Sequence, residues 1–195
     1  MQLPCCASSA DGSGQGLPFN MAMVATGKTL RRALFRAGWL ETSLDDPGTG
    51  AARSQYFEGR PPDGVFYKAR PDGKERKELR LWITSYQSEG TPVILAQAIH
   101  DLSGGEAFSL DPDMNASRDY AIQSFWYGQS LSQMSMNESH PESSIDSPDT
   151  SFDGNRYFAD GYRSFLWLSD SPVALDDVRM LSRRGVIAET SGETP

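Results

Sequence analysis

The chain has 195 residues, 38 % hydrophobic and 23 % charged, enough for one domain with a real core. A formal net charge of −8 repels a polyanion and excludes a general nucleic-acid binder. No run approaches the roughly 18–20 apolar residues of a membrane helix, and the longest, Val93 to Ile99, is strand-sized.

Both cysteines, Cys5 and Cys6, stand near the start of the chain. Adjacent cysteines rarely bond to each other because the geometry is strained. The expectation is a body without disulfide, cysteine metal site or redox chemistry. Residues 1–16 are small and polar and read as a flexible leader. Cys6 followed by Ala7-Ser8 and a Gly/Ser-rich spacer is similar to a lipoprotein junction, making Cys6 a lipidation candidate. Met1 to Pro4 do not supply the apolar signal region such a junction needs, so a plain leader is the other reading.

From residue 17 the organisation is that of a domain running to about 187, with 188–195 a frayed tail. Leu17 to Thr26 is strand-like. Lys28 to Trp39 then places Leu30, Ala33 or Leu34, and Ala37 at helical spacing, with Gly38 at the stop. After a polar stretch, three strand segments follow: one through Tyr56 to Ala69 with a Pro-Pro-Asp-Gly turn inside it, one through Lys77 to Gln87, and one through Thr91 to Leu102. Short turns between them predict an antiparallel meander. Lys68 to Arg80 holds six basic and three acidic residues, read as a solvated hairpin tip or as an anion-binding patch.

"LDPDMNASRDYAIQSFW" reads as a second helix. Asp111 is expected to cap it, with Pro112 in the first-turn slot and Asp113 beside the positive end of the dipole. Residues 132–155 are polar and read as a long loop or insert. Arg156 to Asp170 is expected to be a final strand pair around Ala-Asp-Gly, and Ala174 to Gly185 a short helix. The fold class is thus α+β, a mainly antiparallel sheet packed by two main helices.

Chemical motifs are sparse. "AMVATGKT" approaches a phosphate-binding loop, but Ala22 stands where glycine is required and Met-Val-Ala-Thr prefers a strand. His100 and His140 have no serine elbow to work with. Asp63, Asp101, Asp111, Asp113 and Asp160 all fall at strand ends or turns, where oxygen ligands for magnesium or calcium could gather. Aspartate is equally a turn and cap residue, so no metal and no cofactor is assigned. Together with Arg60 and Arg80 these aspartates form the candidate ligand-binding edge cluster. Arg60, Asp63 and Arg80 are also expected to make a structural ion-pair group at the sheet edge.

Five segments, in order, resemble the LssY C-terminal domain family. The first carries Asn20, Gly27 and Ala37-Gly38-Trp39, and the second Gly59, Arg60, Asp63, Phe66 and Lys68. Arg80, Trp82 and Asp101 follow, then "LDPDMNASRD" and "YFADG". Members are often joined to multi-pass membrane modules, and no reaction is established for the domain. The family's paired histidines are replaced here by Lys77-Glu78 and Phe108-Ser109. The resemblance implies a shared fold and a non-enzymatic cell-envelope accessory domain, with metal-dependent phosphate-ester hydrolysis as the alternative. It implies an unknown protein or small-ligand partner, no nucleic acid, and peripheral membrane association through the N-terminus. A cytoplasmic location is the other reading.

Overall fold

The computed structural model describes residues 3–42, 54–69, 73–103 and 108–181. A hairpin of β1 (Cys6–Ser8) and β2 (Gln15–Pro18) leads into β3 (Met21–Val24) and helix α1 (Gly27–Arg36). Next come β4 (Leu40–Thr42), β5 (Gly64–Ala69), β6 (Arg76–Ser88) and β7 (Thr91–Asp101). Helix α2 (Met114–Tyr127) is followed by β8 (Leu131–Glu138), the short pair β9 (Asp149–Thr150) and β10 (Arg156–Tyr157), then β11 (Tyr162–Leu168) and β12 (Arg179–Met180). Eight strands form one sheet in the order β12-β8-β11-β3-β7-β6-β5-β4. The expected meander is present as β5-β6-β7. Two pairs, β11 with β3 and β12 with β8, run parallel. The fold is α+β.

Both faces of the sheet are covered, which explains why β7 reads as a near-continuous apolar run. On one face Leu79, Leu81, Ile94, Ala96 and Met23 pack beneath Ala33 and Leu34 of α1 and Ala121 and Phe125 of α2. The other face carries Trp82, Val93, Leu95 and Phe165, covered by Leu3, Ala7 and Phe57. Buried Asn20 ties the layers together. Its side chain donates to Ala98 O at 2.9 Å and Met114 O at 3.2 Å, and accepts from Ala98 N at 2.8 Å.

Thr26 caps α1 through the Thr29 amide, so the near-phosphate-loop sequence is a strand followed by an ordinary cap. Gly38 adopts a φ of +78°, the left-handed turn that ends the helix and swings Trp39 back under it.

Several expectations are overturned. Residues 3–16 are no loose leader: Leu3 and Ala7 are buried, because a small polar segment can still pin two apolar side chains on an open sheet face. Cys5 and Cys6 are disulfide-bonded to each other, so Cys6 Sγ, the lipidation candidate, already has a covalent partner. The insert beginning at Ser132 is a strand in its first part. Its polar residues sit on β8, where Met134 and Leu131 supply the buried contacts. The final strand pair also fails: β10 pairs with β9, while β11 enters the main sheet between β8 and β3. Within Ala174 to Gly185, the described part holds a 3₁₀ turn at Leu175–Asp177 and strand β12 in place of a helix. No residue of that turn is buried, so nothing there rewards a helix over an extended edge strand.

Candidate functional site

Alternation along β6 sorts its charges onto two faces. Lys77 shares the helix face with Leu79 and Leu81, while Arg76, Glu78 and Arg80 lie with Trp82 on the other. The register puts Lys68 of β5 opposite Lys77, and Lys77 opposite His100 of β7. Three strands therefore present Lys68, Lys77 and His100 in one row.

That row floors a cavity of about 260 Å³ that Ala69, Glu75 and Arg76 also line and that Tyr120 of α2 bounds on the helix side. The Lys68 ammonium lies 5.7 Å and the Lys77 ammonium 5.5 Å from the centre of the Tyr120 ring. Lys68 also lies 5.2 Å from the Trp39 ring. Trp39 is itself fixed by a 2.8 Å hydrogen bond from its indole N–H to Ser124 Oγ. Among the described residues no carboxylate comes within ion-pair distance of Lys68. Burial pushes its ammonium below the usual lysine range.

His100 stands at the end of the row, bracketed by carboxylates. Its Nδ1 is 2.9 Å from Asp111 Oδ2 and its Nε2 is 3.2 Å from Glu75 Oε2. A neutral imidazole donates to one of them only, and the imidazolium donates to both. Because the two acids hold opposite ring nitrogens, they do not converge on one point with the ring. Consistently, no group of three or more His, Cys, Asp or Glu is placed to hold a metal ion among the described residues.

The other face of β6 is an ion-pair chain. Glu78 accepts from Arg76 Nη2 at 2.8 Å and from Arg80 Nε at 2.7 Å, with all three side chains buried. Asp101 Oδ2 is 3.7 Å from Arg76 Nε. The other Asp101 oxygen accepts from the Ser103 and Ser109 amides, tying the strand end to the chain that leads into α2. Arg80 also packs 5.3 Å from the centre of the Phe108 ring.

The expected edge cluster is thus split among five places. Arg60 pairs with Asp63 at 3.0 Å on the surface, and Asp63 Oδ2 accepts from the Ile83 amide at 2.7 Å. Arg80 does not join them, because its position on β6 turns it toward Glu78. Asp101 belongs to the buried chain and Asp111 to the His100 pocket. Asp113, in place of Asp111, caps α2, accepting from Asn115 N at 3.0 Å and Ala116 N at 2.9 Å. Asp111 supports that cap from behind, its Oδ1 accepting from the Asp113 amide at 3.1 Å. Asp160 accepts two bonds from Arg118, at 2.8 and 2.9 Å. Burial opposes ionisation of Asp160, but the hydrogen bonds and charge of Arg118 and the Tyr162 amide together outweigh it and hold the carboxyl below its ordinary value.

Tyr120 and Glu75 were not legible as site residues, and Lys77-Glu78 stood out as the place where the resemblance expects paired histidines. Lys68 and Lys77 were also visible as part of the basic run, whose solvated-tip and anion-patch readings a cross-strand register alone separates. Comparison with family models, curated proteins and solved structures finds no match.

Proposed function

We propose that the protein is a non-enzymatic binding domain, an LssY C-terminal-like accessory module of the cell envelope, that holds a small oxyanion between Lys68 and Lys77. The observation that carries this is the pairing of two lysines directly across adjacent strands in a cavity. Like charges placed opposite one another destabilise a sheet. An anion between them turns that cost into attraction, and the Tyr120 ring face favours the two ammoniums beside it. The overall charge of −8 makes this local positive site selective for small anions over polyanions.

Metal-dependent hydrolysis draws less support, since the carboxylates around His100 sit on opposite ring nitrogens. Calorimetric titration with inorganic phosphate tests the reading. The parent is expected to bind with a Kd of about a millimolar, and Lys68→Gln and Lys77→Gln to lose that binding while staying folded. Binding that survives both substitutions rejects the site. Stabilisation of the parent by micromolar divalent metal would bring the hydrolase forward.

A further inference from the structure

The anion pocket is one end of a longer depression. A second cavity, of about 390 Å³, shares Lys68 and Tyr120 with the first and runs along α2 past Gln123 to Tyr127 and Gly128. Tyr120, Gln123 and Tyr127 follow i, i+3, i+7 spacing and so line one helix face. Seven residues of helix separate the two tyrosines by about 10 Å at 1.5 Å per residue.

The properties change along this depression. At the near end both lysines meet over Tyr120. Tyr127 at the far end is 74 % exposed, a large open aromatic face. The floor between is backbone: a Cβ on Gly128 would lie 2.8 Å from Ala37 Cα, so the helices touch there and the trough stays shallow. Arg36 does not serve as a third cation, since its guanidinium is spent on Ser130 Oγ and the carbonyls of Ser169 and Asp170. The Ser124 hydroxyl is likewise engaged, with Trp39 and the Ala121 carbonyl. The exposed Gln123 amide is a polar group that lines the trough between the two tyrosines.

Resting on the oxyanion reading above, we infer that the ligand is a monosaccharide phosphate, its phosphate between Lys68 and Lys77 and its sugar ring across Gln123 against Tyr127. An aromatic ring with an open face offers an apolar wall to the C–H side of a saturated ring, and an adjacent amide meets its hydroxyls. A nucleobase fits less well. Flat bases are held by stacking on aromatic faces, often between two of them, and the Tyr120 ring is already taken by both ammoniums and the edge of Trp39.

The test is competition calorimetry on the full chain with inorganic phosphate, glucose, glucose 6-phosphate and adenosine monophosphate. Glucose 6-phosphate is expected to bind roughly tenfold tighter than inorganic phosphate, a gain of about 1.4 kcal/mol. Tyr127→Ala should erase that gain and leave phosphate binding intact, and this exposed side chain can be removed without touching the core. Equal affinity for phosphate and its sugar ester overturns the sugar assignment but leaves the anion site standing. So does a gain that persists in Tyr127→Ala. Tighter binding of the nucleotide overturns the ligand class. If no phosphate compound binds at all, the anion site falls as well.

Discussion

Adjacent residues of one strand, Arg76 and Lys77, live in opposite electrostatic worlds. Arg76 points to the face where Glu78 and Asp101 match it and Arg80 with hydrogen bonds and ion pairs. Lys77 points to the face where its neighbours across the strands are Lys68 and His100 and a tyrosine ring lies 5.5 Å away. A matched buried chain fixes structure, and two lysines facing each other across a cavity are the place proposed for a ligand. The difference teaches that charge counts along the basic run say little, because the two-residue period of the strand deals alternate charges to different fates.

The strongest way to break this contrast is to remove the shared acid. Glu78→Ala removes the carboxylate that two buried guanidiniums share, leaving Arg76 only the longer approach to Asp101, and breaking such a pair costs about 3–5 kcal/mol. Urea denaturation of the variant should show that loss, while phosphate binding by any protein still folded should be unchanged. A small loss would place the arginines in contact with water.

The next effect concerns the start of α2. Asp113→Ala should cost about 0.5–2 kcal/mol, and Asp113→Asn or Asp113→Ser should recover most of it. Thermal melting of the three variants checks the assignment. Asp111→Asn is expected to be milder at the cap and to act on the His100 pocket instead.

Why Asp111 looked like the cap is instructive. Sequence rules give the cap chemistry but not its position to within two residues, and both aspartates do accept backbone amides here. The β–α opening, the meander and both helices were legible because their apolar spacing and turns agree. The place of β8 was not. Its sequence, Leu-Ser-Gln-Met-Ser-Met-Asn-Glu, lacks the β-branched residues that announce a strand, and only pairing with β11 makes it one. The pocket was illegible for a related reason. Lys68 and Lys77 share one basic run, but they face each other and Tyr120 only through register and helix placement.

A smaller effect is pH-dependent. Asp160 is held below its ordinary value of 3.8, so the native state binds its proton less readily than the unfolded chain. Its contribution is fully present above that value and fades as pH falls through the lower, folded-state one. Asp160→Asn should therefore lower stability at neutral pH and flatten the acid limb of a stability–pH curve measured by denaturation. An unchanged acid limb would detach Asp160 from Arg118.

Arg60→Ala should matter least. The pair with Asp63 is substantially exposed, and such surface pairs contribute about 0–1 kcal/mol. A larger drop in melting temperature would mean that the Arg60 bond to the Ile83 carbonyl, at 2.9 Å, organises the turn.

The contrast between the two faces is tested most directly by one NMR titration with inorganic phosphate, following lysine side-chain carbons and arginine Nε–H groups together. Lys68 and Lys77 should shift in parallel and saturate with a single affinity, while Arg76 and Arg80 stay still. Arginine resonances that move with the phosphate, or lysine resonances that do not, would contradict the division of charge between the two faces of β6.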